Sequence, residues 1–179
     1  QAHPDMRALP GIEMSTGSLG QGLSVGVGMV LASRTLGESW RTYVVVGDGE
    51  AQEGQIWEAS FVAARYGLDG LCGILDWNGL QQYGWRDPNG PKGTRLPSIE
   101  RPVERWRACG WHALEVDGHD MTALTDAFAE ARSTRGRPTM IVARTVKGRG
   151  VSFMEADYLW HSRTVTDADL AAALAELGA

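Results

Sequence analysis

Residues 42–80 read TYVVVGDGEAQEGQIWEASFVAARYGLDGLCGILDWNGL. The apolar run Thr42–Val46 predicts a buried strand, and Gly47-Asp48-Gly49-Glu50 ends it sharply. Residues 53–66 predict a helix with Trp57, Phe61 and Ala64 on one face, stopped by Gly67. Residues 71–76 predict a second strand that ends at Asp76-Trp77-Asn78-Gly79. A strand, a helix and a strand within so few residues form the unit of a parallel sheet.

Working outward, the same alternation continues on both sides. Upstream, residues 17–35 predict a helix with Leu19, Leu23, Val27 and Val30 along one side. Ser18, Gly22 and Gly26 form a small-residue face that invites close approach. Downstream, the Pro- and Gly-bearing stretch 83–98 predicts a long loop. Residues 99–109 predict a helix, 111–116 a short strand, 121–132 a helix, 139–144 a strand and 167–177 a final helix. The fold class is α/β: a mostly parallel sheet flanked by helices. Such sheets bind ligands at the carboxyl ends of their strands, where 47–50 and 76–80 both fall.

Composition narrows the partners. Hydrophobic residues make up 43% and charged residues 22% of the 179, which suits one folded domain rather than a disordered chain. Net charge is −5 with scattered basic residues, so no stripe offers itself to nucleic acid or an anionic membrane. No apolar run has the length of a membrane span. Cys72 and Cys109 lie far apart and form no CxxC, so free thiols and a cytoplasmic setting are expected. The opening Gln1-Ala2-His3-Pro4 reads like the interior of a domain, so an N-terminal segment is expected to precede it.

Asp48 and Asn78 carry the chemistry. Each follows a strand and sits in a glycine-bracketed turn. A hard cation such as Mg²⁺ takes oxygen ligands in an octahedron. One carboxylate, one amide oxygen and the backbone carbonyl of Leu80 supply three, leaving places for phosphate oxygens and water. Gly49 has no side chain, so a phosphate can reach its N–H. Taken singly, Gly-Asp-Gly and Asn-Gly are ordinary turns. Their pairing, 30 positions apart with a helix and a strand between, is what points to a metal and a diphosphate.

The run GDGEAQEGQIWEASFVAARYGLDGLCGILDWNGLQQYG at 47–84 closely resembles transketolases. So do HPDMRALPGIEMSTGSLGQGLSVGVGMVLA at 3–32 and WRACGWHALEVDGHD at 106–120, and the likeness covers essentially the whole chain. The resemblance implies the thiamine-diphosphate-binding fold over 1–179, with thiamine diphosphate and Mg²⁺ (or Ca²⁺ or Mn²⁺) as cofactors. It implies that Asp48, Asn78 and the Leu80 carbonyl hold the metal. It places Gly17, Ser18, Leu19, Gly47, Asp48, Gly49, Glu50, Asn78 and His161 around the cofactor. His3, in AHPDM, matches the histidine that faces the sugar, although Ala2 and Asp5 replace the usual glycine and glutamate. His161, in WHSRT, matches a late histidine near the diphosphate and the substrate. Glu53 matches a glutamate of the interface that couples two active sites; a first-turn helix acid is an equally good reading of it. His112 and His119 read as structural; Lys147 and Arg149, which flank Gly148, read as a solvated basic loop, with a phosphate contact as the other reading.

Enzymes of this type need a second domain that binds the aminopyrimidine and supplies the glutamate that activates the cofactor. No such domain is present in the sequence. The chain therefore resembles the N-terminal subunit of a split transketolase. It is expected to act with a C-terminal subunit in an α2β2 heterotetramer and to move a two-carbon ketol unit from a ketose or its phosphate to an aldose. The cofactor carries the bond chemistry and the protein supplies binding and orientation. Other readings are a deoxyxylulose-phosphate-synthase-like or dehydrogenase-E1-like subunit, and a non-catalytic partner of the same fold. STGSLGQGLS at 15–24 favours the transketolase reading.

Overall fold

The computed structural model describes residues 3–82, 87–89, 96 and 98–178. Most of the loop expected at 83–98 therefore lies outside the described residues. Four strands form the sheet: β1 (Thr42–Gly47), β2 (Leu71–Trp77), β3 (His112–Asp117) and β4 (Thr139–Arg144). Their order is β1-β2-β4-β3, and each neighbouring pair is parallel. Among the described residues the α-helices are α1 (Gln21–Leu36), α2 (Gly54–Arg65), α3 (Pro102–Ala108), α4 (Met121–Ser133) and α5 (Asp167–Leu177). The expected α/β class is the one observed.

Alternation along the strands sorts the core into two layers. Val46, Leu71, Leu75, Met140 and Val142 face Leu23, Val27 and Val30 of α1, Ile56, Ala59 and Ala63 of α2, and Trp106 of α3. The opposite face packs Cys72 and Ile141 against Ala127 and Ala131 of α4. Trp57, Trp106 and Trp111 stack in series, with ring centroids 5.1 and 4.9 Å apart. The Trp111 indole N–H donates to the Ser60 carbonyl at 3.0 Å, so the ring is buried without leaving its polar atom unpaired.

Three expectations are corrected. The first helix starts at Gln21, not at residue 17, because Gly20 takes a left-handed conformation (φ 83°) that ends the preceding loop. Leu19 thus leaves the helix face and is exposed, while Leu23, Val27 and Val30 stay buried. On α2 the buried positions are Ile56, Ala59, Ser60 and Ala63, and Phe61 stands in solvent. Strand β1 is not buried throughout: it lies at a sheet edge, and Val45 on its outer face is 70% exposed. The expected close approach at Gly26 is present. A Cβ there would sit 2.6 Å from Val44 Cγ2 and 3.2 Å from Leu71 Cδ1.

Candidate functional site

Register brings the two motifs together. Gly47 of β1 pairs with Asp76 of β2, so Asp48 and Asn78 emerge from adjacent strand ends. The Gly79 N–H donates to Asp48 Oδ2 at 2.6 Å and ties one turn to the other. Asn78 is held from two sides: its Nδ2 donates to Asp76 Oδ2 at 3.1 Å, and its Oδ1 accepts from the Leu80 N–H at 2.9 Å. Thr145, just past β4, donates its hydroxyl to the other oxygen of Asp76.

Asp48 is only 2% exposed. Burial pushes its carboxyl above the ordinary carboxylate range, and the neighbouring Asp76 adds to this; the backbone amides of Gly79 and Gly49 pull the other way. It makes no ion pair among the described residues. A buried carboxylate without a cationic side chain, beside an amide oxygen, is a donor set that suits a hard cation. The residues present therefore fit a divalent metal.

A second loop closes on this centre. Glu50 accepts from the Gly20 N–H at 2.8 Å through one oxygen and from the Gly47 N–H at 3.0 Å through the other. Gln55 Nε2 donates to the Leu19 carbonyl at 2.9 Å. The loop 17–20 is thus fastened to the end of β1 and the start of α2. A Cβ on Gly20 would fall 2.8 Å from Gln55 Cγ, and one on Gly49 2.8 Å from Gln81 Cβ, so both backbones lie close under neighbouring side chains.

These parts line a cavity of about 600 Å³ that includes Leu19, Gly47, Asp48, Gly49, Glu50, Asp76, Asn78, Leu80, Lys147 and His161. His161 ends a short 3-10 turn, Tyr158–His161, and reaches this wall from the far end of the sequence. The His3 ring lies against Gly17, where a Cβ would meet its Cδ2 at 2.8 Å. Gly17 and Ser18 are exposed and Glu53 is exposed at the N-cap of α2; none of these three, nor His3, is among the residues that line the cavity.

Sequence reasoning did not single out Asp76, Gln52, Gln81 or Gln82, and it left Lys147 in solvent; all five line the cavity. Asp76 carried a readable signal, an acid two residues before the asparagine at a strand end. Lys147 offered two readings, a phosphate contact and a solvated loop, and only the course of the chain after β4, which brings it inward, decides between them. His112 pairs with Glu130 at 2.7 Å, and His119 accepts the Val146 N–H at 2.8 Å, both away from the cavity.

Residues 1–179 match the family model described as transketolase, thiamine diphosphate binding domain. The chain belongs to the transketolase family. Among curated relatives, a 6-deoxy-6-sulfo-D-fructose transketolase subunit of a Clostridium species is 40% identical over 98% of this chain and 62% of its own length. An apulose-4-phosphate transketolase subunit of Phocaeicola vulgatus is 41% identical over 89% of this chain and 54% of its own. The chain therefore spans less than two thirds of these transketolase subunits. Transketolase from Leishmania mexicana superposes with a TM-score of 0.82 at 31% identity, covering 94% of this chain and 26% of that one. Transketolase from Campylobacter jejuni gives 0.84 at 27% identity, covering 98% and 27%.

Proposed function

We propose that this chain forms the diphosphate-binding part of a split transketolase. With a second polypeptide it transfers a two-carbon ketol unit from a ketose, or its phosphate, to an aldose. The observation that carries the reading is the cation-less buried Asp48 beside Asn78 at adjacent strand ends, facing a cavity of diphosphate scale. The names of two similar proteins, both of them transketolase subunits, support a divided enzyme.

Asp48, Asn78 and the Leu80 carbonyl would hold Mg²⁺, with Mn²⁺ or Ca²⁺ as substitutes. Gly47 and Gly49, which carry no side chains, would let the diphosphate approach the backbone of this turn closely, and the loop Gly17-Ser18-Leu19 would border it. Glu50 keeps these two backbones at fixed separation, which orients the bound group. His161 and Lys147 face the cavity and can donate to anionic oxygens. His3, packed against Gly17, would be the histidine that meets the sugar. Thiamine diphosphate, when bound, supplies the chemistry that breaks and forms the carbon–carbon bond.

The partner is a C-terminal subunit with the pyrimidine domain and its activating glutamate, in an α2β2 assembly where Glu53 lies at the interface. No helix among the described residues is long and apolar enough to cross a membrane. Two free cysteines suit a reducing, cytoplasmic compartment. The test is ketol transfer between sugar phosphates by this chain alone and after co-expression with such a partner. Transfer only in the mixture is expected. A normal rate from the chain alone overturns the split reading, and pyruvate consumption by the mixture overturns the transketolase one.

A further inference from the structure

A metal site that uses an asparagine has a problem that a carboxylate does not. The amide has one oxygen and one NH₂, nearly alike in shape, and a half-turn about the Cβ–Cγ bond exchanges them. Only the oxygen ligates a hard cation. Nothing in Asn78 itself selects the right face, so its neighbours must.

We propose that Asp76 is a positioning residue that sets the amide of Asn78 with its oxygen toward the cation. The proposal rests on the reading of Asp48 and Asn78 as metal ligands. Asp76 Oδ2 accepts a hydrogen bond from Asn78 Nδ2 at 3.1 Å. The flipped amide would set oxygen against oxygen there. Its other face would set NH₂ against the Leu80 N–H, which now donates to Asn78 Oδ1 at 2.9 Å. Both contacts penalise the same error. The Asp76 carboxylate is itself anchored, since Thr145 donates its hydroxyl to Oδ1. Thr145 is in turn fixed by its N–H, which donates to the Trp77 carbonyl at 3.3 Å. The chain Thr145–Asp76–Asn78 thus links the ends of β4 and β2 to the orientation of one ligand atom. Partners of this kind, one bond removed from the metal, change affinity by roughly 10–100-fold.

Orientation, charge and direct ligation are separated by changing what Asp76 acts on. Asp76→Asn keeps the volume but can offer its own NH₂ to Asn78, so one of the two contacts that sort the amide is lost and only the Leu80 N–H remains. Asn78→Asp puts a carboxylate at 78, which has two oxygens and needs no sorting. Binding of Mn²⁺ with thiamine diphosphate is measured by electron paramagnetic resonance for the wild-type chain, the two single variants and the double variant. Asp48→Asn serves as the control for the site itself.

Asp76→Asn is expected to weaken Mn²⁺ binding roughly 10-fold or more in the Asn78 background. In the Asn78→Asp background it is expected to cost nothing or to improve binding, because it relieves two facing carboxylates. Equal losses in both backgrounds overturn the proposal, since they mean that Asp76 acts as a charge or a ligand. No loss in either background also overturns it. A second readout needs no metal: the Asn78 side-chain amide protons should exchange with solvent more slowly in the wild type than in Asp76→Asn. Equal exchange overturns the proposal even where Asn78→Asp binds too weakly to measure. A wild-type chain that takes up no Mn²⁺, indistinguishable from Asp48→Asn, overturns the metal-site reading itself and the proposal with it.

Discussion

Asp48 is a buried carboxylate whose charge is costly to the fold. Its carboxyl is buried, carries no cationic partner among the described residues, and titrates above its ordinary range because of that burial. A folded value above the unfolded one means that the linked stability is fully present below the unfolded value of about 3.9 and is lost as pH rises through the folded value. Without metal, the charged form is therefore a burden at neutral pH. Asp48→Asn keeps an acceptor for the Gly79 N–H and removes the charge. In metal-free urea titrations at pH 7 the variant should be at least as stable as the wild type. Its advantage should shrink as pH falls through the folded value of Asp48. Its affinity for thiamine diphosphate with Mg²⁺ should drop by more than the roughly 10–100-fold typical of an outer-shell change, read by titration calorimetry. A lower midpoint for Asp48→Asn at pH 7 counts against a burial cost at this carboxylate.

At the scale of elements, α1 shows what its sequence carried and what it concealed. The spacing of Leu23, Val27 and Val30 found the face that packs on the sheet. Leu19 fits the same spacing, yet it belongs to the loop, because left-handed Gly20 intervenes and no periodicity reveals a backbone angle. Likewise the apolar run of β1 marked a strand but not its place at an edge, which depends on strand order. The Asp48–Asn78 pair was legible from two glycine-bracketed turns at strand ends, which the register brings side by side; His161 was legible only through the family resemblance, and Lys147 was left in solvent, since both arrive from distant loops. Gly26 is where α1 meets β1 and β2 most tightly. A Cβ there would meet Val44 Cγ2 at 2.6 Å, so Gly26→Val must push the helix off the strands that carry Asp48 and Asn78. Overpacking of this kind costs about 1–3 kcal/mol. Chemical denaturation should show that loss with an unchanged m-value, whereas Gly28→Ala, with nothing within 4 Å of its Cβ, should not destabilise.

For the whole molecule, the proposed function divides the cofactor: the groups that would hold the metal come from this chain, and the pyrimidine end would meet another. Asp48, Gly49, Asn78 and Leu80 all lie in the turns that follow β1 and β2, at adjacent strand ends of this one chain. On the proposed reading, cofactor binding through the diphosphate is expected not to require the partner. A ligand that binds only the folded state at about 100 times its Kd stabilises by roughly 2.7 kcal/mol. For a domain of this size that corresponds to a rise in Tm of about 5–11 °C. Thiamine diphosphate with Mg²⁺ at such a ratio should raise the Tm of the isolated chain by that amount in scanning calorimetry. Chelating the metal should abolish most of the rise, because the cation neutralises the diphosphate beside the Asp48 carboxylate. Thiamine alone, which lacks the diphosphate, should give no rise at the same concentration. A shift of equal size with thiamine, or one insensitive to chelation, would place the main contacts at the wrong end of the cofactor and leave Asp48 and Asn78 without the role that their burial and hydrogen bonds suit.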